Sequence, residues 1–200
     1  IVGSTGSGKT TIINLLGRLY DINEGEIRID NVPIEQYDLF SLRKKMAVVL
    51  QDVFLFGGTI IDNIRLMEPS ISEAEIIEAS KKIGAHDFFM KLPEGYHFKV
   101  MERGGNLSLG QRQLISFVRA LVFDPDILIL DEATSSIDVE TESVIQEAID
   151  KLIAKRTSII IAHRLSTVKK ADNILVMKKG RIVESGNHET LMADTDGLYF

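Results

Sequence analysis

The stretch Gly3-Ser4-Thr5-Gly6-Ser7-Gly8-Lys9-Thr10 satisfies the pattern G-x-x-x-x-G-K-[ST] at every fixed position, and Thr11 to Leu16 continue it as a helical pattern. Its glycines let successive backbone N–H groups turn inward on an anion, and the N-terminus of the following helix adds positive potential. In such a loop Ser4, Thr5, Gly6, Ser7, Gly8, Lys9, Thr10 and Thr11 surround phosphate. Lys9 reaches the outer phosphates, and the Thr10 hydroxyl can ligate Mg²⁺.

A second group sits far along the chain. Ile127-Leu128-Ile129-Leu130-Asp131-Glu132 places two carboxylates at the end of an apolar strand, where parallel sheets bind ligands. Asp131 fits a Mg²⁺-organising role and Glu132 a water-polarising base. Alone, such acids are as often an ordinary strand edge or helix cap. Paired with the loop at Gly3 they gain meaning, because a nucleotide–Mg²⁺ complex requires a carboxylate opposite the threonine.

Composition bounds the rest. The 200 residues suit one domain, or one carrying a sub-domain, and 44% hydrophobic with 26% charged residues is globular rather than disordered. A net charge of −6 weighs against a nucleic-acid partner held by phosphate neutralisation. The absence of cysteine excludes disulfides, thiolate nucleophiles and thiolate zinc sites, and four scattered histidines make no metal cluster. No stretch approaches the ~20 apolar residues that span a bilayer. A start two residues before the glycine-rich loop suggests a piece of a longer chain.

Short apolar runs alternate with helical patterns, the mark of an α/β fold with a largely parallel sheet. Met46 to Leu50, Ile127 to Leu130, Ser158 to Ala162 and Asn173 to Met177 run apolar without alternation, as strands covered on both faces do. Glu26 to Asp30 and Arg181 to Glu184 alternate, as half-exposed hairpin strands beside turns at Asn31 and Gly180.

Between Gln51 and Phe123 strand signals give way to helices. Ser72 opens one with a capping box to Glu75, burying Ile76, Ala79 and Ile83 and ending at Gly84. Ser108 opens another with Gln111 three residues on; Leu114, Val118 and Leu121 form its stripe until Asp124-Pro125 stops it. A third follows Asp138, with Ile145, Ile149 and Leu152 inward. The expected organisation is a nucleotide-binding core over 1–52 and 123–200, interrupted by a helical sub-domain over 53–122.

The chain resembles the nucleotide-binding domain of an ABC transporter over essentially its whole length, with the motifs in the family's order. Gln51 looks like the Q-loop glutamine, Leu107-Ser108-Leu109-Gly110-Gln111 the signature, Ser135-Ser136-Ile137-Asp138 the D-loop and His163 the switch histidine. The resemblance implies a P-loop NTPase fold that binds ATP and Mg²⁺ and hydrolyses ATP. Lys9, Thr10, Gln51 and Asp131 would hold metal and phosphates. Glu132 and His163 would position the attacking water. Two such domains would close head to tail, so that Ser108, Gly110, Gln111 and Asp138 of one serve the nucleotide of the other. Taken without the family, His163 at the end of an apolar run is more often a structural residue, and Ser108-Gln111 an ordinary capping box.

Val49-Leu50-Gln51-Asp52-Val53-Phe54-Leu55-Phe56-Gly57-Gly58-Thr59-Ile60, then Asp62-Asn63-Ile64, and Glu102-Arg103-Gly104 before the signature are similar to exporters. That likeness implies a transmembrane domain upstream on the same polypeptide and a place at the cytoplasmic face of the membrane. Leu109 departs from the family, standing where LSGGQ carries glycine. It allows a heterodimer with one impaired site as readily as a homodimer that tolerates leucine. A nucleotide-gated dimerisation module with little hydrolysis and a soluble ABC ATPase of repair or translation are the alternative functions. Intact Glu132 and His163 oppose the first. The missing coiled coil between Lys9 and Asp131, and the single copy of the motifs, oppose the second.

Overall fold

The computed structural model describes residues 1–131, 139–154, 156–162 and 164–200, without the side chains of 139 and 140. In chain order the regular elements begin with β1 (Val2–Gly3), α1 (Lys9–Leu16), β2 (Arg28–Ile29), β3 (Val32–Pro33), α2 (Leu39–Lys44) and β4 (Met46–Val49). There follow β5 (Gly58–Thr59), α3 (Ile60–Arg65), α4 (Glu73–Lys82), α5 (His86–Met90), β6 (Lys99–Val100) and α6 (Leu109–Val122). The last are β7 (Ile127–Asp131), α7 (Val139–Ile153), β8 (Thr157–Ile161), α8 (Leu165–Lys169), β9 (Ile174–Lys178), β10 (Arg181–Gly186) and α9 (His188–Met192).

The residues group into two compact units. One comprises Ile1–Met46, Ile129–Ala133 and Ile159–Phe200; the other comprises Ala47–Leu128 and Thr134–Ser158. In the first, β1 pairs parallel with β9, Gly3 opposite Met177, and β9 pairs antiparallel with β10. The Ile1 nitrogen donates to the Ile160 carbonyl and its carbonyl accepts from Ala162 N–H, the offset bonding of parallel neighbours. Val168, Ile174, Val176 and Leu191 make a buried cluster, with Val2 and Tyr199 packed against it. A sheet of order β4-β7-β8 completes the larger strands.

In the second unit α6 packs on α3, α4 and α7. The helices start where the sequence predicts. Ser72 with Glu75 and Ser108 with Gln111 form complete capping boxes, each hydroxyl accepting the N–H three residues on. The faces predicted to be inward are buried at Ile76, Ile83, Leu114, Val118, Ile145 and Leu152.

Three features differ from expectation. Met46 to Leu50 is not covered on both faces: Val49 is 4% exposed, but Val48 and Leu50, which share the other side of the pleat, are 43% and 51% exposed. An apolar run does not say whether both faces are occupied. The β5–β6 ladder, Gly58 opposite Val100 and Thr59 opposite Lys99, lies where strand signals stop, since two residues carry no periodicity. Thr59 and Asp62 form a third capping box at the head of α3.

Candidate functional site

The glycine-rich loop joins β1 to α1. A Cβ on Gly3 would stand 2.4 Å from the Met177 carbonyl oxygen, so only glycine lets β1 run this close to β9 at that turn. Gly6 and Gly8 take φ of 76° and 106°, in the region that glycine enters without strain. Gly8 is the N-cap of α1 and has no side chain to cap that end, so among the described residues the first N–H groups of the helix have no side-chain cap. Such an end favours an anion through its donors and its dipole.

Lys9 is 9% exposed, and its Nζ donates to the Gly3 carbonyl at 2.8 Å and the Ser4 carbonyl at 3.0 Å, with Ser7 Oγ at 3.5 Å. The ammonium is therefore held along the loop, satisfied by its carbonyls. Ser7 is buried, its N–H donating to the Ser4 carbonyl, whereas Ser4, Thr5, Gly6, Thr10 and Thr11 are exposed. Asp131 ends β7, half-buried, behind the buried residues Leu128, Ile129 and Leu130, and belongs to the same unit as the loop. The hydroxyl of Thr10, the carboxylate of Asp131 and the amide oxygen of Gln51 are hard oxygen donors of the kind that Mg²⁺ takes. Glu132, Asp138 and His163 lie outside the described residues.

Gln51, Ser108, Gly110 and Gln111 belong to the other unit. Gln51 is exposed just past β4. Ser108 N–H donates to Gln111 Oε1 at 2.9 Å, and Gln111 N–H donates to Ser108 Oγ at 3.2 Å, so this pair caps α6. Leu109, half-buried, is its first residue, and Gly110 is buried.

The segment ahead of this cap is clamped by Arg112, which sequence reasoning missed. Its Nη1 donates to the Leu107 carbonyl at 2.9 Å and the Gly104 carbonyl at 3.3 Å. Gly104 takes φ 67°, where a Cβ would strike Arg112 Cδ at 2.7 Å. Arg103 N–H donates to the Leu55 carbonyl at 2.8 Å. The sequence signal for this clamp is the Arg112 one turn inside α6, within reach of carbonyls that precede the helix.

The family model for ABC transporter matches residues 1–135. The Bacillus subtilis (strain 168) ABC transporter ATP-binding protein YknV is 54% identical over 199 residues, covering 100% of this chain and 33% of that protein. From the same organism, a protein named "Probable multidrug resistance ABC transporter ATP-binding/permease protein YheH" is 53% identical over 200 residues, covering 100% of this chain and 30% of that protein. The chain thus spans about a third of the length of these relatives. A solved structure of a bacterial Atm1-family ABC exporter with ATP bound superposes with a TM-score of 0.90 at 44% identity, over 99% of this chain and 34% of that one. Among the described residues no helix is long and apolar enough to cross a membrane. With the motif loop folded around Lys9 and the likeness running the length of the chain, the protein belongs to the ABC transporter family as an ATP-binding domain.

Proposed function

We propose that this domain is the motor of an exporter, binding two Mg·ATP between two such domains and releasing ADP and phosphate after hydrolysis, with a membrane domain on the same polypeptide and a place at the cytoplasmic face of the membrane. The observation that carries the reading is the loop itself: Lys9 held along it beneath an α1 N-terminus that, among the described residues, no side chain caps. The ATP-binding/permease name of one relative and the ATP-bound exporter structure support the wider assembly.

In this reading Ser4 to Thr11 surround the phosphates, with Lys9 on the outer ones, while Thr10, Gln51 and Asp131 hold Mg²⁺. When bound, the metal neutralises charge on the phosphate oxygens. Glu132 orients and polarises the water for in-line attack on the γ-phosphorus, and His163 donates to the γ-phosphate. Ser108, Gly110, Gln111 and Asp138 act across the dimer. Catalysis of this kind is positioning and electrostatics, with no covalent intermediate on the protein.

The test is Mg·ATP turnover in the full-length protein. Glu132→Gln should lower it by about a hundredfold or more and leave ATP trapped. Unchanged turnover removes Glu132 from the mechanism. A wild type that binds but does not hydrolyse supports the nucleotide-gated dimerisation module instead. Leu109→Gly, read in the same assay, distinguishes the two pairings: a rise in turnover means that Leu109 limits the site across the dimer, as in a heterodimer with one impaired site. No rise means that leucine is tolerated, as in a homodimer.

A further inference from the structure

The hairpin of β9 and β10 lies against the phosphate loop at three points. Gly3 pairs with Met177 so closely that its own Cβ is forbidden. Gly8 lies against Met177 and Gly180: a Cβ there would meet Met177 Cε at 3.4 Å and Gly180 Cα at 3.5 Å. Between these points the Gly180 N–H donates to the Ser7 carbonyl at 2.9 Å. Gly180 sits in the two-residue turn of the hairpin, where Lys179 and Gly180 take φ of 50° and 77° and Lys178 faces Arg181.

We propose that Gly180 is a positioning residue for ATP, acting through the Ser7–Gly8 peptide. The peptide is planar and trans, so its C=O and N–H point in opposite directions. Drawing the Ser7 carbonyl outward to the hairpin turns the Gly8 N–H inward, to the side where the loop surrounds phosphate. The Gly3 and Ser4 carbonyls are held by Lys9, and the Gly8 carbonyl accepts the Ile12 N–H as α1 begins. The Ser7 carbonyl takes its partner from outside the loop, and the hairpin supplies it. The proposal rests on the ATP-binding role of the loop.

Two substitutions test it in the full-length protein. Gly180→Asn keeps the N–H and tolerates a left-handed turn, whereas Gly180→Val drives the residue out of that region and rotates the N–H off Ser7. The valine variant should bind Mg·ATP about tenfold more weakly, and the asparagine variant within about threefold of wild type, as the loss or retention of one oriented donor to an anion requires. The thermal transition of the nucleotide-free proteins is read alongside. A folded valine variant that binds within about twofold of wild type overturns the proposal. A wild type that does not bind Mg·ATP overturns this and the motor reading together; normal wild-type binding with an unimpaired valine variant overturns this one alone.

Should the valine variant fail to fold, amide exchange in the wild type decides. Residues 178–181 should be protected, and more so with Mg·ATP. Exchange at the free-chain rate, or protection that Mg·ATP does not change, overturns the proposal.

Discussion

Asn63 exchanges two hydrogen bonds with Phe56: its Nδ2 donates to the Phe56 carbonyl at 2.9 Å, and its Oδ1 accepts the Phe56 N–H at 2.9 Å. The same Nδ2 also donates to the Thr59 carbonyl at 3.0 Å. Asn63 is 1% exposed, so one buried amide closes the loop that leads into its own helix. Asn63→Ala strands three backbone groups and should cost about 3 kcal/mol in urea unfolding. Asn63→Asp keeps the acceptor but loses both donors and buries a charge, so it should cost at least as much.

Lys9 holds loop carbonyls now and would serve a phosphate when one is present. Lys9→Met keeps the buried stem and removes the ammonium. It should weaken Mg·ATP binding by about ten- to a hundredfold, as the loss of a charge-assisted bond of roughly 1.5–3 kcal/mol implies. Equilibrium binding with a labelled nucleotide checks it; unchanged affinity would sink the assignment.

The capping carboxylate of Asp62 is held below its ordinary pKa by hydrogen bonds from the Thr59 backbone and side chain. Glu75 is held down likewise, by the side chain and backbone of Ser72. A lowered folded-state pKa gives stability that is present above the unfolded value of about 4 and is lost as pH falls through the folded one. Melting temperature should therefore drop below about pH 4. In the Asp62→Asn variant that slope should be shallower, and an identical slope would show that this cap does not contribute to it.

Glu184 accepts the N–H groups of Leu198 and Tyr199, while His188 Nδ1 and Tyr199 Oη lie 2.8 Å apart. Tyr199 also packs on the cluster of Val168, Ile174, Val176 and Leu191. Glu184→Ala should release the segment from Asp194 onward, costing about 1–2 kcal/mol and raising its protease sensitivity several-fold. Cleavage kinetics equal to wild type would mean that the apolar contacts suffice.

What the chain's own spelling revealed was local. The loop at Gly3, the caps at Ser72 and Ser108 and the stripe of Ile145, Ile149 and Leu152 each fall within a few turns of backbone, so residue spacing alone states their geometry. Thr59 and Asp62 have the same spacing, but aspartate is a less usual partner in that box, so the sequence marks this cap only weakly. The two-residue strands β5 and β6 and the five-residue α5 are too short for any period to register.

The sequence by itself determined that an anion would be met by a lysine, glycines and a helix N-terminus, because all of these lie within eight consecutive residues. Only the tertiary structure decided what stands behind the loop. Met177 and Gly180 are distant in the chain, and their parts are played by a backbone carbonyl and a backbone N–H, which every residue but proline carries alike. Nothing in side-chain identity marks which of them will face Gly3 or Ser7. The pairing of β1 with β9 brings them there, just as the packing around β4 decides that Val48 stays open while Val49 is covered.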